Sequence, residues 1–422
     1  MSLNDRKALQ ISKTAKLLNG HYEIALPWKN DPPLLMNNKS QVRQRLHPLK
    51  KRLRRDPALH QKYRDFMEDL INKGYTRKVS EENLDNPNVW YLPHRAVFHP
   101  QKPDKVRVVF DCSAKYQGAS LNDQLLQGPD LTNTFLGVLT RFRQEQIAFM
   151  SDIEAMFYQV RVSPSDCDYL RFLWWPDGDL NKDPEEYQML VHLFGGASSP
   201  SCANFALKKT AEDNKAIFDA ITVETVKRNF YIDDCLKSVA TNPGAVRLVG
   251  ELREMLSKGG FRLTNWISNS RDVISCVPET ERAPLVKNLD LSNNPALTER
   301  ALGVQWNVQN DIFGYKITEK ERPMTRRGIL SIICSVYDPL GFVSPCILPA
   351  KAIQQDLCLK GLRWDDQIPE RCKQKWQSWL KELPKLEQFE IPQCFKPPNC
   401  SEIQRCELHH FSNASSQGYG AV

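Results

Sequence analysis

RNFYIDDCLKSV, residues 228–239, sets two adjacent carboxylates, Asp233 and Asp234, inside an apolar, β-prone run. A buried, unpaired charge costs several kcal/mol, so a strand carries such a pair only where the chain turns and something cationic neutralises it. Divalent metal is the usual answer, because hard Mg²⁺ takes carboxylate oxygen and arrives with substrate phosphates. Taken alone, Tyr231-Ile232-Asp233-Asp234 reads more readily as an Asp-Asp turn on a solvated hairpin, and the segments around it are what change that reading.

A second acid in an apolar context lies upstream in FMSDIEAMFYQVRV (149–162), where Asp152 ends a short strand and opens a Phe/Tyr-rich segment. Two strands with acids at their tips could place Asp152 and Asp233 side by side and hold two metals about 3.5–4 Å apart. Between them runs HLFGGASSPSCANFALKKTAED (192–213). Gly195 and Gly196 permit close backbone approach there, and the small residues ahead of Pro200 offer a surface for a flat base pair. An ordinary Gly-Pro loop before a helix has the same composition.

In this order the segments resemble reverse transcriptases, and in particular the Bel/Pao class of long-terminal-repeat retrotransposon polyproteins. The closer likeness is carried by HYEIALPWKNDPP (21–33), VFDCSAKYQGASLND (109–123), FGGASSPSCANFALKKTAED (194–213) and SVYDPLGFVSP (335–345). It runs over essentially the whole chain. The implied fold is α/β (α+β): a right-hand polymerase with fingers, palm and thumb, whose antiparallel palm sheet is backed by helices.

The resemblance also implies roles. Asp152, Asp233 and Asp234 would be the catalytic, metal-binding carboxylates for two Mg²⁺ ions, or Mn²⁺ in their place, with the Ile153 carbonyl an additional ligand. Phe157 falls where the family keeps a bulky aromatic under the sugar 2′ position, which would exclude ribonucleotides; core packing explains a Phe equally well. Lys105 and Arg107 match residues that hold the incoming triphosphate, and their i, i+2 spacing puts both on one strand face, as a solvated face also would. Gly195 matches the motif that contacts the nascent pair, Tyr231 would be a further substrate-binding residue, and LGVQW (302–306) matches the primer-grip hairpin with Gly303, Val304 and Trp306. The implied partners are an RNA or DNA template with its primer, dNTPs and other parts of the polyprotein.

Composition agrees. The net charge of +7 is uneven: residues 1–80 hold 18 Lys/Arg against 7 Asp/Glu. RQRLHPLKKRLRR (43–55) packs seven cations into thirteen residues around Leu46, Leu49 and Leu53. That pattern predicts a helix with one apolar stripe and a basic face able to track phosphates, or simply a solvated face. The sequence has no apolar run near eighteen residues and no signal-like start, so membrane insertion and secretion are not expected. A cytoplasmic virus-like particle, or the nucleus, is the expected setting. The twelve cysteines are scattered, as reduced thiols would be. Cys394, Cys400, Cys406, His409 and His410 are zinc-ligand types, but their spacing lacks the tight pairing of structural zinc sites.

Punctuation along the chain predicts five regions. Residues 1–40 read as an extension or linker, 41–146 as two basic helices and fingers, and 147–310 as palm with a surface insertion at about 270–298. Residues 311–390 read as a three-helix thumb or connection, and 391–422 as a tether and the incomplete start of an RNase H-like domain. In that last region ELHHFSNASSQGYGAV (407–422) predicts at most a β-hairpin. Asn413 stands where the resemblance places an aspartate, so RNase H activity is not expected.

Two further readings stay open. One is a catalytically silent remnant that binds nucleic acid. The other is an aspartic peptidase, for which no Asp-Thr-Gly or Asp-Ser-Gly triplet occurs.

Overall fold

The strand that carries Asp152, Ile147–Ile153, lies antiparallel beside the strand Asp234–Val239 in the computed structural model. The structure describes residues 1–99, 102–284, 298–317, 321–397, 405, 407, 409–414 and 419–421. The chain divides into two units, Met1–Asn133 with Ile153–Asp233 and Gly250–Leu263, and Thr134–Asp152 with Asp234–Val249 and Thr264–Val422. The expected regions followed one another along the chain. The observed units interleave, because β-pairing draws its strands from distant segments.

In the first unit the basic region forms two helices, Lys39–Arg55 and Pro57–Asn72. Val42, Leu46 and Leu53 of the first and Leu59, Tyr63, Met67 and Leu70 of the second are buried at helical spacing. Asp56 caps the second helix by accepting the Leu59 N–H at 2.9 Å, and Pro57 occupies its first turn. Gly74, at φ +67°, ends it in the left-handed conformation. The core beneath gathers Trp90, Trp174, Trp175 and Phe110, all fully buried.

The first forty residues are not a linker. They contain a helix, Leu3–Lys13, and two strands, Lys16–Leu18 and His21–Ile24, the second of which pairs in parallel with Arg161–Val162. Tyr22, Ile24, Leu26 and Trp28 are buried, and the amide of Leu26 and the indole of Trp28 both donate to Asp166, at 2.7 and 3.0 Å. Alternate apolar residues drive this segment into the core as a strand does.

One charged network is also buried in this unit. The fully enclosed Arg171 guanidinium donates to Asp168 at 2.9 and 2.7 Å, to Glu186 at 3.0 Å and to the Asn83 carbonyl at 2.7 Å. Tyr91 donates to Glu186 at 2.6 Å, and Lys39 pairs with the same carboxylate. Burial alone would raise the Glu186 pKa, but Lys39, Tyr91 and Arg171 outweigh it and hold the carboxyl below its ordinary range.

In the second unit the Asp234–Val239 and Ile147–Ile153 strands are followed in the sheet by Leu263–Ser268. A second sheet runs Thr298–Ala301, Val304–Asn307, Ile312–Gly314 and Ile391–Pro392. Three helices follow as predicted, Arg326–Ile333, Ser344–Leu359 and Glu370–Glu382, around Ile329, Ile347, Ile353, Leu357 and Trp376. Near the C-terminus Ser412–Ala414 pairs with Tyr419–Ala421 as an antiparallel hairpin. The expected insertion is described only as far as residue 284, through a short helix, Arg271–Ser275; residues 285–297 lie outside the described part.

Candidate active site

The register runs from Val239 opposite Ile147 to Asp234 opposite Asp152. Directly opposed residues in an antiparallel pair project from the same face, so these carboxylates share one side of the sheet. Behind them Ala148, Phe149, Cys235 and Leu236 are fully buried, whereas Asp152 and Asp234 are half-buried. The acids therefore keep access to solvent, and burial of bare charge is avoided by position. Where the prediction set Asp152 beside Asp233, the direct cross-strand neighbour is Asp234.

Asp233 is the last residue of its segment in the first unit, where its carbonyl accepts the Ile153 N–H at 2.9 Å. The turn before it carries Ile232 at φ +57°. A β-branched residue in the left-handed region costs roughly 1–3 kcal/mol and persists only where the surroundings enforce it. Ala155, three residues after Asp152, has φ +48°. Both acidic segments thus carry backbone strain beside the acids, as functional sites commonly do.

Two residues that the sequence reading missed hold the Asp152 carboxylate. The Thr264 hydroxyl donates to Oδ1 at 2.7 Å, and the Asn265 amide donates to Oδ1 at 3.0 Å and Oδ2 at 2.9 Å.

Of the first-unit residues expected to bind the nucleotide, Arg107 is exposed on the hairpin formed by His94–His99 and Lys102–Phe110, opposite Val97. The side chain of Lys105 lies outside the described residues. Phe157 is half-buried in a 3₁₀ turn, Met156–Gln159, with its ring 4.6 Å from that of Phe194. It is therefore not a closed core residue. Gly195 has φ +99°, and its carbonyl accepts the Asn122 amide at 2.9 Å while Ala197 N–H donates to Asn122 Oδ1 at 2.8 Å. Asn122 so fixes the glycine loop ahead of the helix Ser199–Asp213. Tyr231 is half-buried.

Also in this unit, the basic helix and the hairpin border a pocket of about 260 Å³ lined by Arg45, Arg52, Arg95 and Asp111 among others. Arg45 lies 3.7 Å from Asp111, and the Arg52 guanidinium lies over the Phe98 ring at 4.9 Å.

In the second unit LGVQW forms a two-residue hairpin turn, Leu302 at φ +48° and Gly303 at φ +88°. A Cβ on Gly303 would lie 2.8 Å from the Tyr337 ring, so glycine is required on both counts. Val304 and Trp306, expected to face a primer, are buried. Trp306 donates to Asp311 at 3.0 Å and meets Phe142 edge-on at 5.2 Å. They support the hairpin from beneath.

Among the described residues no group of three or more His, Cys, Asp or Glu side chains is gathered as a metal cage. Cys394 is half-buried and His409 exposed, while Cys400 and Cys406 lie outside the described residues. Among the described residues no helix is long and apolar enough to cross a membrane.

Residues 325–422 match a family described as the Pao retrotransposon-like RNaseH-like domain. The match takes in the three helices expected as a thumb as well as the C-terminal stretch where alone an RNase H-like start was expected. No curated protein matches the sequence. Among solved structures the fold is similar to that of a foamy viral protease-reverse transcriptase in complex with double-stranded DNA, with TM-score 0.50 and 14% identity over 78% of this chain. The chain spans 48% of that protein. Over residues 325–422 the chain is thus similar to that retrotransposon family, and its likeness to the solved structure is one of fold.

Proposed function

We propose that the chain is the core of an RNA-directed DNA polymerase, which extends a primer on an RNA or DNA template from dNTPs. The observation that carries this reading is the opposition of Asp152 and Asp234 at the ends of two apolar strands. Like charges directly opposed are unfavourable, and a divalent cation reverses the sign. The donor set fits Mg²⁺, which takes one or two carboxylates and completes its shell with water and substrate phosphate, so no closed protein cage is needed.

On this reading Asp152 and Asp234, with Asp233 next in the chain, would hold two Mg²⁺ or Mn²⁺ ions. Such ions, when bound, neutralise charge on the transferring phosphoryl group and acidify the primer hydroxyl. The chain's own side chains bind and orient. By the resemblance to reverse transcriptases, Arg107 and Lys105 would grip the triphosphate, Phe157 would exclude the ribose 2′-hydroxyl, Gly195 would contact the new base pair, Tyr231 would bind substrate and the Gly303 turn would serve the primer. The primer 3′-oxygen attacks the α-phosphorus, a new P–O bond forms and pyrophosphate leaves. Fingers, palm and thumb are the arrangement proposed for these parts, by likeness to the reverse transcriptase fold. Asn413, where an aspartate is expected, supports the absence of RNase H activity from this chain.

A second reading, a silent remnant that binds nucleic acid, draws on the basic helix and the arginine-lined pocket, neither of which needs the acids. The two separate in one experiment. The purified chain, given a primed RNA template, Mg²⁺ and dNTPs, is expected to lengthen the primer with the template-specified bases. Binding of the primed template without extension would select the second reading.

A further inference from the structure

Two consecutive residues of a regular strand point to opposite faces of the sheet. Thr264 and Asn265 are consecutive in the strand Leu263–Ser268, yet both donate to one carboxylate, that of Asp152. What permits this is the backbone of Asn265, which has φ +52°. A left-handed residue inside a strand acts as a bulge does, re-aiming one side chain out of the alternation. Burial shows the same break: Leu263 is buried, Thr264 half-buried and Asn265 exposed, and then Trp266, Ile267 and Ser268 are all buried. Asn is among the few residues other than glycine that tolerate this conformation, and its amide can hold both oxygens at once.

The three bonds are unequal in a useful way. Oδ1 accepts two of them, from Thr264 and Asn265, whereas Oδ2 accepts one, from Asn265. A carboxylate oxygen has two lone pairs, so Oδ2 keeps one of its two free of these donors. We infer that Thr264 and Asn265 are positioning residues that lock the Asp152 carboxylate and present Oδ2 as a single-oxygen ligand for a divalent cation. The inference rests on the reading of Asp152 as a metal-binding carboxylate. Without the lock, Asp152 rotates about its side-chain bonds and loses the orientation, as ligands generally do when their hydrogen-bonding partners are removed.

The test uses three variants of the full chain. Thr264→Val keeps shape and strand preference but removes the hydroxyl. Asn265→Gly keeps the left-handed backbone but removes the amide. Thr264→Ser restores the donor. Mn²⁺ binding to each is read from the fall in free-ion electron paramagnetic resonance, with D152N as reference, alongside half-saturating Mg²⁺ in primer extension and affinity for primed template. Removing either donor is expected to weaken Mn²⁺ binding and raise half-saturating Mg²⁺ by about tenfold in T264V and N265G. T264S should lie near wild type, and template affinity should be unmoved in all three. Binding of Mn²⁺ that D152N abolishes but T264V and N265G leave intact would overturn the lock alone. Mn²⁺ binding that is indifferent to D152N would overturn the metal reading of Asp152 and the lock with it.

Discussion

Lowering the pH from 7 to 5 should destabilise the first unit through two buried histidines. His94 and His192 are both buried, and burial drives each imidazole pKa from the ordinary 6.5 down to about 4. His94 is held between the Tyr63 hydroxyl and the Leu173 carbonyl, and His192 bonds the Ile24 carbonyl at 3.1 Å. Well above pH 6.5 neither state takes a proton and the full stability is present. Below it the unfolded chain binds protons that the folded one excludes, and stability falls until about pH 4, where the folded imidazoles titrate too. For a pKa moved from 6.5 to about 4, the loss between pH 7 and 5 is about 2 kcal/mol per histidine, or about 4 kcal/mol for the pair. The depressed Glu186 carboxyl contributes little in this window, because its stabilisation is lost only as pH falls through its folded pKa, below 4.5. Asp166, whose pKa burial raises, works in the opposite sense, its cost easing as it protonates. The assay is urea unfolding followed by tryptophan fluorescence, Trp174 lying 6.0 Å from the His94 ring. At a denaturant slope of about 2–3 kcal/mol/M the midpoint should drop by roughly 1–2 M. Variants H94Q and H192Q, which keep a hydrogen-bonding nitrogen near the Nε2 position but do not titrate here, should flatten the dependence. A midpoint equal at pH 7 and pH 5 in the wild-type chain would refute the argument.

Three further outcomes are expected. Replacing Arg171 with Met should cost about 3–5 kcal/mol, because it leaves Asp168 and Glu186 facing each other without their guanidinium; chemical denaturation reads the loss, and a cost under about 1 kcal/mol would show the network to be replaceable. Phe157→Val should raise ribonucleotide incorporation relative to deoxyribonucleotide, measured as a ratio of kcat/KM, and unchanged discrimination with retained activity would show that the ring only packs on Phe194. The double variant R45A/R52A should lower the slope of log affinity for a DNA duplex against log salt by roughly 0.9 for each phosphate that is no longer neutralised, and an unchanged slope would remove the basic helix from the nucleic-acid interface.

The acids were legible because charge inside an apolar, β-prone run is costly enough to demand a reason, and Asp152, Asp233 and Asp234 are three such cases. The helices Pro57–Asn72 and Glu370–Glu382 were legible from apolar spacing and from Gly74. The lock on Asp152 was not, since Thr264 and Asn265 read as two faces of an ordinary strand until the backbone dihedral of Asn265 is known. The role of residues 1–40 was available but overlooked: Tyr22, Ile24, Leu26 and Trp28 alternate as a half-buried strand does, and the neighbouring Asn-Asp-Pro-Pro obscured the pattern. Val304 and Trp306 illustrate a different limit. A motif gives the hairpin its place, but which side chains face inward depends on Phe142, some 160 residues earlier in the chain.

The central claim is that Asp152 and the Asp233-Asp234 pair hold the ions for nucleotidyl transfer. It is tested most directly by single-turnover incorporation of one dNTP into a primed RNA template, in Mg²⁺, by the wild-type chain, D152N and D233N. The account predicts template-directed incorporation by the wild type and a fall of about 10²–10³-fold or more in each variant, the several kcal/mol that metal-bound carboxylates contribute, with template affinity retained. Incorporation by D152N or D233N at the wild-type rate would contradict it.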